Sequence, residues 1–277
     1  MGFRILIVED DFYQLKALKQ LITADGISVE IDTANCAADA RDRLTSPANL
    51  ARPYDIMLLD LGLPEIEGQT ENSHLGLRLL EEAHKRDLAR HTIVISGKSD
   101  LIDEIEPALK YGAADFFQKP YEPDELIDVL LKALSKEHPA KLFICHDSVD
   151  KDLASSMYRK LAKHGFAPWM ADEDLLAGQN REFWVNKTIR EADFALICLS
   201  RESIRKSGSW LREIKKALEK REEMLATDNF LIPVLLEPCD IPDQLAAYHP
   251  AYLYEEDGWR KLARSIYRGK LSRSESE

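Results

Sequence analysis

Short apolar runs separated by amphipathic stretches recur along the whole chain. In the first half the runs fall at 3–9, 28–33, 54–60, 92–96 and 115–118. RILIVED and DIMLLD are typical: a few branched or long aliphatic residues in a row, ending on a charge. Runs of that length predict strands covered on both faces. Between them, apolar residues recur at helical spacing near 12–25, 36–46, 73–87 and 99–111, and again at 123–137. Gly26, Pro53 and the Tyr111-Gly112 pair punctuate these elements. A second series starts at Lys141, with strands predicted at 141–145, 166–171, 194–199, 229–236 and 251–254. Its helices fit 150–164, 180–191, 210–224 and 258–270, while 241–248 is too short to assign. Strict alternation of strand and helix predicts an α/β chain with two doubly wound, parallel, five-stranded sheets. Pro139, in SKEHPAK at 135–141, stops the preceding helix. The expected domains are therefore 1–137 and 138–277, joined closely rather than by a long flexible linker.

Composition narrows the picture. A length of 277 residues suits two domains, and 45% hydrophobic content is ample for two cores. The net charge of −12 is uneven. Residues 1–138 carry 15 Lys and Arg against 26 Asp and Glu, while the remainder carries 22 against 23. Neither half has the basic balance of a nucleic-acid-binding output, so no nucleic-acid partner is expected. No apolar run reaches membrane-spanning length, and the chain runs straight into a strand without a secretory leader, so a cytoplasmic protein with no membrane partner is expected. Cys36, Cys145, Cys198 and Cys239 lack zinc-like spacing and read as reduced, structural residues.

The chemistry of the first half sits at strand ends. Glu9 and Asp10 close the first run, Asp60 the third and Ser96 the fourth, and Lys119 follows the fifth. In an open parallel sheet those ends converge on one crevice, where ligands bind. Asp60 is a carboxylate placed for phosphorylation by in-line attack, which needs a divalent cation to neutralise the incoming charge. Magnesium favours such oxygen ligands: Asp10 and Asp60 directly, Glu9 through water, and the backbone carbonyl near Gly62. Lys119 can pair with a phosphoryl oxygen, and Ser96 can donate a hydrogen bond to one. The pieces ILIVEDD, LLDLGLP, VISGKS and GAADFFQKPYEPDEL resemble the receiver domain of two-component response regulators, over roughly residues 1–137. The resemblance implies phosphoryl transfer from a histidine kinase or phosphotransfer protein onto Asp60, with Mg²⁺. It also implies a switch in which Ser96 moves toward the phosphoryl group and Phe116 turns inward; the alternative for Phe116 is a plain core residue. One departure is EIEGQTENSH at 65–74, a polar insertion that either shapes access to the crevice or is a tolerated surface loop.

The second half shows no nucleophile–base pair and no metal cluster. KLFICHDSVDKDLASSMYRKL, GFAPWMADEDLLAGQN, FWVNKTIREADFALICLSRESI, KSGSWLREIKKAL and FLIPVLLEPCDIP resemble a TIR domain, the Toll/interleukin-1 receptor-like module, over roughly residues 140–270. Two functions attach to that family. Some members are adaptors that assemble with other TIR proteins or with themselves, and others cleave the nicotinamide–ribose bond of NAD to linear or cyclic ADP-ribose. The resemblance places the catalytic glutamate at Glu213. A carboxylate beside the ribose stabilises the positive charge that develops as nicotinamide leaves. Enzymatic members often carry Trp four residues earlier; here Ser209 stands there and Trp210 lies three before, while Gly208 and Ile214 fit a second bacterial pattern. The alternative for Glu213 is a solvated glutamate pairing with Lys216 or Lys220. The 172–180 segment matches the family's loop beside the substrate cleft. Trp169 and Trp184 flank it, as stacking platforms for substrate or as packing residues. Asp172 meets a ribose hydroxyl or caps a turn, and His146 and Asp147 point to the same cleft. Asp193 reads as a cap at the start of a strand.

Overall fold

The computed structural model describes residues 3–24, 29–70, 72–97, 101–136, 139–206, 208–225 and 229–274. The expected turn at Gly26, the element ends expected at Asp25, Ser28, Ser99 and Glu137, and the expected 137/138 boundary lie outside them. The chain forms two compact units that divide between Leu134 and Ser135.

In the first unit, strands β1 (Phe3–Val8), β2 (Val29–Ala34), β3 (Tyr54–Asp60), β4 (Ala89–Ser96) and β5 (Ala113–Gln118) alternate with helices. The helices are α1 (Phe12–Ala24), α2 (Ala37–Thr45), α3 (Pro47–Ala51), α4 (Ser73–Lys85), α5 (Leu101–Lys110) and α6 (Pro123–Leu134). The strands form one parallel sheet in the order β2-β1-β3-β4-β5. β1 and β3 bury nearly every residue, because helices cover both faces. Leu6, Val8, Tyr54, Met57, Leu59, Leu79, Leu80 and Val94 make one of its core clusters. Two elements differ from expectation. β4 begins three residues early, because Ala89 and His91 pair with Tyr54 and Ile56 despite the polar sequence around them. α3 is additional: Pro47 opens it, and the Ser46 side chain accepts from the Asn49 N–H at 3.3 Å.

The second unit repeats the plan. Its strands are β6 (Lys141–Cys145), β7 (Ala167–Trp169), β8 (Phe194–Leu199), β9 (Leu231–Leu235) and β10 (Ala251–Tyr252). Its helices are α7 (Lys151–Lys163), α8 (Ala171–Asp174), α9 (Arg181–Glu191), α10 (Ser209–Glu222) and α11 (Gly258–Ser274). The parallel sheet runs β10-β9-β8-β6-β7. Read from the strand that follows β6, this is the strand order of the first unit. β8, FALICL, is buried throughout at the centre. β7 is shorter than its apolar run, because Met170 instead stands just before α8, where its N–H donates to the Asp174 carboxylate at 2.8 Å. The ambiguous 241–248 stretch holds one 3₁₀ turn, Asp243–Leu245, that buries Leu245.

Candidate functional site

The first crevice lies where the strand order turns. The chain leaves β1 for β2 on one side and then forms β3 on the other, so the ends of β1 and β3 open a cleft between their following loops. Glu9, 2% exposed, follows β1, and Asp60, 8% exposed, closes β3. Oxygen atoms of Glu9, Asp10 and Asp60 all lie within 4.8 Å of one another. Lys119 reaches in from the end of β5, with Nζ 2.8 Å from Glu9 Oε2 and hydrogen-bonded to Asp60 Oδ2. The Gly62 N–H donates to Asp60 Oδ1 at 2.9 Å, which fixes the other oxygen. Burial, then the Asp60 charge, pushes the Glu9 carboxyl up to about 7, against the pull of Lys119. Burial weakens the hold of Lys119 on its proton, but Asp60 and Glu9 outweigh that and raise it. Crowded carboxylates in a buried pocket with one cation between them are the donor set of a hard divalent cation and a phosphoryl group. Ser96, at the end of β4, donates from Oγ to Glu104 Oε2 at 2.6 Å. Phe116 is half-buried, pairs in register with Val94 and packs on the core of this unit.

The second crevice occupies the same topological place, between the ends of β6 and β8. Glu213 lies in the first turns of α10 and is 7% exposed. Its Oε1 accepts from Arg181 Nη2 at 2.9 Å, and the neighbouring Cys145 thiol donates to the Trp210 carbonyl at 3.7 Å. Burial raises the Glu213 carboxyl above the ordinary range, while Arg181, Cys145 and His146 pull it back. Lys216 pairs instead with Glu182 at 3.2 Å, and Lys220 caps α9 by donating to the carbonyls of Ile189, Arg190 and Ala192. The solvated pairing considered for Glu213 is thus replaced by a part-buried one with Arg181, whose own side chain is half exposed. His146, beside Cys145, lies with Nε2 3.2 Å from Asp172 Oδ2, and Lys151 approaches the other oxygen of Asp172 at 3.6 Å. Asp147 accepts from the Val149 N–H at 3.1 Å and caps a short turn. Trp169 stacks on Phe143 with ring centroids 5.9 Å apart, and with Trp184 it lines a groove that runs past Lys141, Ala167 and Thr188. Glu213 does not line that groove, so the two tryptophans are brought together with each other and not with the carboxylate. Asp193 accepts from the Lys141 N–H at 2.8 Å and pairs with Lys270 at 3.0 Å.

A family model for the response regulator receiver domain matches residues 5–131, and one for the TIR domain matches residues 142–264. The chain is 33% identical over 132 residues to the chemotaxis protein CheY of Thermotoga maritima, covering 48% of this chain and 98% of that protein. The chain belongs to the response regulator family. It is also 31% identical over 149 residues to the response regulator ArlR of Staphylococcus haemolyticus, covering 54% of this chain and 60% of that relative. The chain therefore spans about three fifths of the length of such larger relatives. Among solved structures, the CheY-like receiver domain protein of Methanospirillum hungatei JF-1 is similar over 50% of this chain and 97% of that chain, at 28% identity and a TM-score of 0.40. The first unit is a receiver domain, and the second carries a TIR domain. Among the described residues, no helix is long and apolar enough to cross a membrane.

Cys145, read as core, is fully buried in the core cluster of the second unit. Two polar residues of the receiver and TIR crevices escaped the sequence reading. Glu104 and Arg181 sit on amphipathic helices, where a charge ordinarily reads as a solvated face. Only the fold turns each of them toward a site.

Proposed function

We propose that a histidine kinase or phosphotransfer protein phosphorylates Asp60, and that this controls NAD cleavage at Glu213. The domains take the bounds 1–137 and 138–277. Four free thiols suit a reducing compartment, and we place the protein in the cytoplasm. In the receiver, an Asp60 oxygen forms a bond to phosphorus in line with the departing imidazole nitrogen of the donor, which leaves with the electron pair of the broken P–N bond. Glu9, Asp10 and Asp60, with the Gly62 carbonyl, would hold a magnesium ion, which supplies the positive charge that phosphoryl transfer needs there. Lys119 exchanges a carboxylate for a phosphoryl oxygen, and Ser96 and Phe116 carry the response.

In the TIR domain the reading rests above all on one observation: Glu213 is a buried carboxylate at the mouth of the crevice, not a surface charge. As the bond from ribose C1′ to the nicotinamide nitrogen breaks, its electron pair leaves with the ring. Glu213 stabilises the ribosyl cation, and water adds to C1′ and gives up a proton, yielding ADP-ribose; capture by an adenine nitrogen instead yields the cyclic product. His146 and Asp172 border the substrate, and Trp169 and Trp184 form a platform at a separate edge. The buried Trp210 indole N–H lacks a hydrogen-bond partner among the described residues, which supports a ligand atom in this crevice. Self-association is supported by charge. Helix α8 carries Asp172, Glu173 and Asp174, and Leu176 just after it is 70% exposed. A groove of about 870 Å³ on the same domain is lined by Arg221, Arg264, Arg268, two tyrosines and a Lys261 paired with Glu255, and its basic excess suits that acidic segment from a second copy.

One observation favours a second reading, a non-catalytic TIR adaptor that recruits other TIR proteins: Arg181 already occupies an oxygen of Glu213. Incubation of the full chain with NAD, followed by product analysis, separates the two. Nicotinamide release lost in Glu213→Gln supports the enzyme; no release from wild type in either phosphorylation state supports the adaptor.

A further inference from the structure

The switch hydroxyl of the receiver is already engaged. Ser96 is 1% exposed, and its Oγ donates to Glu104 Oε2 at 2.6 Å. Glu104 stands one turn into α5 and is itself 7% exposed. A hydroxyl hydrogen-bonded to a buried carboxylate is a strong, short bond. The backbone of Ser96 is tied as well: its carbonyl accepts from the Lys119 N–H at 2.8 Å, which locks the ends of β4 and β5 together. With the backbone held, what can change is the direction of the hydroxyl. A serine has one proton to donate. It goes to Glu104 or to an acceptor beside Asp60, and not to both.

We propose that Glu104 is a positioning residue that holds the Ser96 hydroxyl away from Asp60 until a phosphoryl group outcompetes it. Glu104 thereby sets the threshold for activation of the receiver. The inference rests on the reading of Ser96 as the hydroxyl that meets the phosphoryl group.

Calorimetric titration of the full chain with beryllofluoride at fixed Mg²⁺ tests it, with folding of each variant checked by circular dichroism. Glu104→Ala removes the competitor and binds beryllofluoride about 10-fold more tightly, the scale of one hydrogen bond to a charged group. Glu104→Gln keeps a neutral acceptor and gains about 3-fold, because neutral hydrogen bonds are roughly half as strong. Ser96→Ala binds more weakly than wild type, and adding Glu104→Ala to it brings no gain. A merely structural glutamate would not give tighter binding on removal, nor an effect that needs Ser96. Wild-type or weaker affinity in folded Glu104→Ala and Glu104→Gln would overturn the proposal, as would an equal gain in both backgrounds. If Glu104→Ala does not fold, the Gln variant decides alone. Wild-type affinity in Ser96→Ala would instead sink the reading of Ser96 on which it rests.

Discussion

The receiver and the TIR domain share one strand order and one place for a crevice, yet that place carries opposite chemistry. In the receiver the functional groups are the ends of the strands themselves: Glu9, Asp60 and Ser96 each close an apolar run or directly follow it. Their positions inherit the stiffness of the sheet, which suits a reaction that needs a metal and an in-line geometry. In the TIR domain the key carboxylate stands on a helix, and its partner Arg181 opens another helix. Helices slide and loops open more readily than paired strands, so this crevice is built from parts that can be rearranged. The fold supplies a location; the element that carries the charge decides how rigid the chemistry there is.

The sharpest break of that comparison is to remove one carboxylate from each crevice. Asp60→Asn loses acyl-phosphate formation from a small phosphodonor completely, while its basal NAD cleavage persists. Glu213→Gln is the mirror image, with nicotinamide release down at least about 100-fold and phosphorylation intact. Its stability changes by less than about 1 kcal/mol, because the loss of the Arg181 pair is offset by no longer burying a charge. Labelling of Asp60→Asn, or wild-type turnover in a folded Glu213→Gln sample, would contradict the respective assignment.

Chelation should divide the crevices next. With EDTA present, phosphorylation of Asp60 stops and unstimulated NAD cleavage is unchanged within about 2-fold, since among the described residues only the receiver crevice groups three oxygen ligands. Equal loss of both activities would show that the TIR chemistry also draws on a metal.

How legible these crevices were in the sequence follows from the same difference. Strand-end residues announce themselves, because a charge that ends an apolar run has one place to go; Glu9, Asp60 and Lys119 were readable and lie together. The two five-stranded sheets were readable for the same reason. Helix-borne residues were not. Arg181 lies 32 positions from Glu213, and no periodicity links them. Trp169 and Trp184 flank the loop beside the cleft in sequence, yet Trp169 packs on Phe143, its register partner on β6. β4 was read short because Arg90 and His91 hide a strand whose pairing comes from β3.

A smaller effect tests how the receiver crevice is supported from behind. Gly76 of α4 lies against the backbone just after Asp60: a Cβ there would stand 2.5 Å from Leu61 Cα. Gly76→Ala should cost about 1–3 kcal/mol in denaturant unfolding of the receiver and slow its phosphorylation, with the TIR domain unaffected. An unchanged unfolding midpoint would mean that α4 does not press on this loop.

The central claim is that phosphorylation of Asp60 governs chemistry at Glu213, and one rate measurement tests it. Nicotinamide release from NAD is followed with and without acetyl phosphate and Mg²⁺, in wild type and in Asp60→Asn. The account predicts a rate that changes on phosphorylation in wild type, by roughly 5–150-fold if the coupling is of ordinary size, and does not change in Asp60→Asn. An identical rate in wild type with and without the phosphodonor, under conditions where Asp60 is shown to be phosphorylated, would contradict it.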